Sequence, residues 1–354
     1  LAVGFFLKVA FDRGWISPAM RCIGGVVLGA TGAAIGWRLH PRYRQYGAAV
    51  IGLGFGIIYL AIWAAAGIYD LVPHGLDLTA LTLVSFSLAV VAFILDEEAL
   101  AAAAAVGAFL APVVMGSRGN PNTLLLYLAI VGSTLGAANV VKRWRLATLL
   151  VAAAFFGLGL VAAGSGAVPW RVCLFAAMGA AGIMVGLRER WTETRVLSFF
   201  GGWGLLAMSV RVYASPLVPV VGVLLTAPMW WHAMRTSRIW PDPRVTGESE
   251  AEWSVGESVP FYVTPILLGW AISTIAPRWF NAHLAAAPFI VGLAYLAAGY
   301  QKPRYPFALA GAGAMAFAAM LQWPRHEGVF VLLGLSLVWA GLDHWLARID
   351  GRWY

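Results

Sequence analysis

Apolar runs of roughly 20 residues follow one another along this chain, and Lys and Arg gather in every second gap between them. A helix needs about 20 apolar residues to cross a bilayer core of about 30 Å. Basic residues in short loops stay on the cytoplasmic side. In lipid every backbone polar group must be satisfied internally, so runs of this length read as helices. The expected fold class is therefore all-α, a polytopic transmembrane helix bundle. Charged residues make up 11% of the chain and hydrophobic residues 61%, against about 25% charge in a soluble domain.

The spans are expected at 1–12 (partial), 18–37, 46–69, 77–95, 99–115, 123–141, 146–164, 169–187, 195–214, 217–234, 259–276, 283–300, 305–322 and 328–346, about 14 in all. The chain starts at Leu, and its first apolar stretch is about half a span. The expectation is that the natural chain begins upstream and that the first helix is cut here. With strict alternation, one side receives Arg38, Arg42, Arg44, Lys142, Arg143, Arg145, Arg188, Arg190, Arg195, Arg235, Arg238, Arg244, Lys302, Arg304, Arg348 and Arg352. The other receives Arg13, Arg21, Arg118, Arg171, Arg211, Arg278 and Arg325. Treating 77–95 and 99–115 as one re-entrant unit would scramble this bias. Both ends of the segment are accordingly expected in the cytoplasm. Asp96, Glu97 and Glu98 form the inside loop that carries no basic residue. Trp15, Trp37, Trp144, Trp170, Trp191, Trp230, Trp231 and Trp279 fall at span ends, where an interfacial aromatic belt is expected.

The net charge of +8 is scattered over short loops. It reads as a topology signal and as contact with lipid headgroups, not as a nucleic-acid surface. Membrane lipids are the expected partners, with other membrane subunits as a further class. Two cysteines, Cys22 and Cys173, are too few for a disulfide framework or a zinc site. No zinc-protease, P-loop, nucleophile-elbow or dinucleotide fingerprint occurs, so no cofactor is called for. His74 between Asp70 and Asp77 is a weak metal arrangement, and Asp343 with His344 sits at a span end.

Gly25/Gly29, Gly32/Gly36, Gly132/Gly136 and Gly182/Gly186 are G-x-x-x-G pairs, and Gly52, Gly54 and Gly56 alternate in the third span. Such residues let helices approach closely where lipid removes the hydrophobic drive to associate. Pro112, Pro228, Pro265 and Pro288 fall inside spans and are expected to kink them. Asn139 is a candidate for a hydrogen bond between helices.

Shifting the chain by 150 residues aligns 1–54 with 151–204, with matches that include Phe5/Phe155, Phe6/Phe156, Arg21/Arg171, Gly29/Gly179, Gly36/Gly186, Arg38/Arg188, Gly52/Gly202 and Gly54/Gly204. This points to a parallel duplication of six helices plus two more. The expected units are 1–145, then 146–300 with a cytoplasmic linker at 236–258, then two terminal helices in 301–354. Parallel repeats occur in transporters.

Lys8, Asp12, Arg13, Arg21, Arg171 and Arg211 lie toward the outer leaflet in this topology. Ionisable groups in membrane helices are costly unless paired or lining a cavity. One reading of the set is an outward-opening basic vestibule for an anionic group, such as a lipid phosphate or carboxylate. The other is snorkelling of long side chains to the headgroups, with Lys8 and Asp12 paired locally.

The stretches GFFLKVAFDRGWISPAMR, YRQYGAAVIGLGFGIIYLAIWAAAGIYDLVP, LAAAAAVGAFLAPVVMGS and LLLYLAIVGSTLGAANVVKRWR together resemble the bacterial membrane proteins grouped as domain of unknown function 2339. The resemblance covers about residues 1–150. It implies a multi-pass protein of the bacterial inner membrane, often with an upstream cytoplasmic segment, and it implies no chemistry. Lys8, Asp12, Gly14, Trp15, Pro18 and Arg21 match the family's motif, while Arg13 stands where that motif has Asn. Three functions follow as expectations. The first is a transporter or flippase for an anionic amphiphile, and the second is a structural or accessory subunit. The third and weakest is a glycan transferase with Asp12 as base, since an acid/base site needs a second carboxylate nearby.

Overall fold

A computed structural model describes residues 17–72, 76–114, 120–210, 217–236, 255–274, 286–301, 305–322 and Gly334. Every regular element among them is an α-helix. We label them α1 (Pro18–Leu39), α2 (Arg44–Gly67), α3 (Leu76–Leu95), α4 (Glu98–Val114), α5 (Pro121–Lys142), α6 (Arg145–Gly164), α7 (Pro169–Ala177), α8 (Gly179–Arg188), α9 (Thr192–Val210), α10 (Leu217–Thr236), α11 (Val255–Ser273), α12 (Ala286–Gln301) and α13 (Tyr305–Gln322). Twelve of the expected apolar runs coincide with these helices, the run at 169–187 being split into α7 and α8 by a turn at Met178. The runs at 1–12 and 328–346 lie outside the described residues, apart from Gly334.

Among the described residues, seven helices are long and apolar enough to cross a membrane, with 169–188 taken as one of them. Four others, at Glu98–Val114, Val259–Ser273, Ala286–Ala298 and Leu309–Gln322, are shorter apolar stretches. At 1.5 Å per residue, α4 is roughly 25 Å long, a little under the hydrocarbon thickness.

Local chemistry fixes the helix ends. Ser17 caps α1 through an Oγ that accepts the Met20 N–H at 3.3 Å, with Pro18 at the first helical position. Asn120 and Pro121 repeat the device on α5. Asp96 and Arg143 take left-handed backbone conformations (φ 56° and 59°) at the tight turns after α3 and α5. In membrane-spanning helices, serine and threonine hydroxyls return to their own backbone. Thr82, Ser85, Ser87, Ser133 and Thr148 each donate to the carbonyl four residues earlier.

The chain divides into two compact units, Leu1–Ala167 and Val168–Tyr354. This division lies one helix later than the expected boundary at 145/146. In the first unit α1–α2, α3–α4 and α5–α6 are neighbouring pairs, α2 also packs on α3 and α4, and α4 packs on α5 and α6. In the second unit α7 and α8 together pair with α9, α10 pairs with α11 and α12 with α13. There α9 packs on α10 and α11, and α11 packs on α12 and α13. The fourth helix of each unit, α4 or α11, is thus the hub of its own bundle.

The expected glycine contacts are the ones that bring backbones together. A Cβ on Gly29 would lie 2.5 Å from the Gly54 carbonyl oxygen, and one on Gly36 would lie 2.7 Å from the Ile51 nitrogen. The second unit repeats this hairpin with Gly179 against Gly202 and Gly186 against Arg195. There the partners sit earlier than a 150-residue offset places them, Gly202 by two residues relative to Gly54 and Arg195 by six relative to Ile51.

Candidate functional site

Of the expected outer cluster, Lys8, Asp12, Arg13 and Arg211 lie outside the described residues, as do His74, Asp343 and His344. Arg21 is half-buried in the first turn of α1, its N–H bonded to the Ser17 carbonyl at 3.1 Å. Arg171 is exposed near the start of α7, with its guanidinium 5.2 Å from the Trp170 ring centroid. That arrangement suits an interfacial arginine lying on an aromatic belt residue. The two arginines belong to different units, and each is described within its own.

The densest polar arrangement described in the first unit is elsewhere, at the acidic turn between α3 and α4. The Glu97 carboxylate accepts from Arg44 Nε, and its Oε1 lies 3.0 Å from His40 Nε2. Arg44 also donates to the Asp96 carbonyl at 2.9 Å. Lys142 Nζ sits 3.2 Å from Asp96 Oδ1 and 4.7 Å from the Phe93 ring centroid. Glu98 Oε1 accepts the N–H groups of Leu146 and Ala147 at 2.5 and 3.2 Å, which caps the N-terminus of α6 from a distant helix. Three acidic residues in a row thereby tie together the α1–α2, α3–α4 and α5–α6 connections. The loop that lacks basic residues of its own is the one on which the basic residues of its neighbours converge.

Burial opposes the charge on Glu97, but hydrogen bonds from Arg44 and His40, with their positive charge, outweigh it. Its carboxyl is held below the ordinary value of 4.5. A depressed carboxylate stabilises the fold above its unfolded pKa, and that contribution is lost as pH falls through the lower folded value. Thermal melts of the purified protein should therefore show wild type losing stability below about pH 4.5, and Glu97→Gln losing less over the same interval. Equal slopes for the two proteins would show that the clasp adds no pH-dependent stability. A carboxylate engaged by Arg44 and His40 together is suited to positioning three connections.

A second feature is an apolar groove of about 400 Å³ on the first unit. It is lined by Ala105, Val106, Phe109, Leu110 and Val113 of α4 and by Leu150, Ala153, Ala154, Gly157 and Leu158 of α6.

Several polar or aromatic side chains sit differently from expectation. Trp144 and Trp191, expected at span ends, are packed inside at 7% and 8% exposure. Trp230 joins an interior cluster with Tyr295 and Phe307, while Trp231 is exposed and carries Arg235 over its ring. The Asn139 side-chain amide nitrogen is buried without a hydrogen-bond partner among the described residues, so the expected bond between helices is not made by that atom.

No curated protein matches the chain, and no solved structure does. A family model described as Predicted membrane protein (DUF2339) matches residues 1–352, so the likeness read from the first 150 residues extends over both units. With its apolar helices and that match together, the chain is a multi-pass membrane protein and belongs to the DUF2339 family of predicted membrane proteins.

Proposed function

We propose that this protein is a carrier of the flippase type for an anionic amphiphile, acting in the bacterial inner membrane with both ends of the segment in the cytoplasm. The observation that carries the reading is the recurrence of one packing scheme in both units. In each, the second helix packs on the third and fourth, and the fourth packs on the fifth and sixth. Duplicated units of this kind are a recurrent plan among carriers. On the topology read from the sequence, Lys8, Asp12, Arg13 and Arg21 in the first unit and Arg171 and Arg211 in the second fall on the outer side, where each unit would meet an anionic headgroup. The α4–α6 groove offers an aliphatic surface suited to its tail.

The test is reconstitution into vesicles that contain a fluorescent anionic phospholipid, with its transfer between leaflets read by chemical quenching. Wild type is expected to accelerate transfer over protein-free vesicles. Lys8→Ala combined with Arg21→Ala is expected to lower that rate at least about tenfold, the loss of one charge-assisted contact or more. No acceleration by wild type, or an undiminished rate in the double variant, overturns the proposal.

A second reading is favoured by one observation. Helix α1 packs chiefly on α2, and its other side exposes Met20, Ile23, Val27, Leu28 and Ile35. A face of that kind also suits a subunit embedded in a larger membrane assembly. Isolation of the native protein with stoichiometric partners, together with no lipid transfer, would favour it.

A further inference from the structure

Each hub helix carries a proline, and the carbonyl that this proline leaves unbonded is held by a hydroxyl from outside the ordinary helical ladder. Proline has no N–H, so Pro112 cannot donate to the carbonyl of Ala108 four residues earlier, and its ring crowds that group. The Ala108 oxygen instead accepts the Tyr127 hydroxyl of α5 at 2.6 Å. The next carbonyl, Gly107, accepts the Tyr59 hydroxyl of α2 at 3.0 Å. Thr82 of α3 lies 3.1 Å from the Tyr127 oxygen. Gly107 leaves room for this arrangement, since a Cβ there would lie 2.9 Å from Ser85 Oγ and 3.6 Å from the Tyr59 ring.

The second unit uses related parts. Pro265 of α11 leaves the Phe261 carbonyl without its helical donor. That oxygen accepts the Thr264 hydroxyl at 2.6 Å, and the Thr264 oxygen lies 2.5 Å from the hydroxyl of Tyr295 on α12. In both units the fourth helix is therefore braced at its proline by a tyrosine of the fifth. We infer that α4 and α11 are hinged at Pro112 and Pro265, with the Tyr127 hydroxyl, and the Thr264 hydroxyl backed by Tyr295, as latches that release the segment beyond the hinge. Within lipid, a freed carbonyl has no water to turn to, so the latch decides whether the bend is held or opens. This inference stands apart from the carrier reading, because its readout is local opening and not transport.

The test is hydrogen exchange followed by mass spectrometry on the full chain in lipid nanodiscs. Tyr127→Phe is expected to speed exchange of the amides in 109–114 about tenfold while the rest of the first unit exchanges as in wild type. Pro112→Ala restores the missing donor. In the Pro112→Ala/Tyr127→Phe double variant the rate is expected to return to that of Pro112→Ala alone. In α11 the Phe261 carbonyl is held by Thr264 itself, so there Thr264→Val with Pro265→Ala should repeat the pattern. Unchanged exchange in Tyr127→Phe overturns the inference, and so does acceleration spread evenly over the unit. Should Tyr127→Phe fail to accumulate, Pro112→Ala is compared directly with the double variant. Equal exchange supports the latch, and faster exchange in the double variant overturns it.

Discussion

Gly54→Val is expected to abolish accumulation of folded protein, or to lower its stability by at least about 3 kcal/mol, the upper end of the usual cost of overpacking. A Cβ at this position would lie 2.6 Å from both the Ala33 nitrogen and the Gly29 oxygen, and 3.1 Å from the Ala33 Cα. All three are backbone atoms of α1, so no rotamer change relieves the clash and the hairpin itself must open. Gly56→Val provides the control. It lies on the same helix two residues on, and an added Cβ meets nothing within 4 Å. Its effect should stay within about 0.5 kcal/mol, as for other substitutions away from close contacts. The measurement is the yield of monodisperse protein by fluorescence-detected gel filtration, followed by thermal melting. Equal behaviour of the two variants would remove close backbone approach as the basis of the α1–α2 pairing.

The contrast between Gly54 and Gly56 also marks how far sequence reasoning reached. Apolar length and loop charge located twelve helices, because both signals are carried by consecutive residues. The G-x-x-x-G pairs correctly identified close contacts, since Gly25, Gly29 and Gly36 all meet α2. Gly179 and Gly186 make close contacts with α9 as Gly29 and Gly36 do with α2, but their partners fall two to six residues earlier than a 150-residue offset gives. Glycine is so frequent in this chain that an identity such as Gly54/Gly204 carries little information about which residues meet in space.

The polar sites were less legible. Asp96, Glu97 and Glu98 carry no local partner, and their meaning depends on residues about 50 positions away, Arg44 before and Lys142 after. Pro112 was readable as a kink, but nothing in its neighbourhood announces that Tyr127 supplies the missing donor. The burial of individual tryptophans was hidden for the same reason. A tryptophan at the end of an apolar run has the same sequence context whether it is exposed, like Trp231, or packed inside, like Trp144.

Trp230 shows what that distinction is worth energetically. It stands edge-on to Tyr295 and Phe307, with ring centroids 5.0 and 5.3 Å away, and Phe261 closes the cluster 5.1 Å from Phe307. Phe307 is fully buried in the contact between α13 and the hub α11. Within lipid, transfer out of water contributes little to helix association, so the loss on truncation is chiefly packing. Removing about 100 Å³ at about 24 cal/mol per Å³ of cavity gives about 2 kcal/mol, and each lost edge-to-face pair adds about 0.5–1.5 kcal/mol. Phe307→Ala is therefore expected to cost about 3–5 kcal/mol, the range seen for buried aromatic truncations. Phe317→Ala, on the same helix but 37% exposed, should cost far less because lipid tails replace the ring's contacts. Thermal melts of the two variants side by side decide the matter. A Phe307→Ala protein that melts with Phe317→Ala would mean that the cluster does not hold α13 to the hub of its unit.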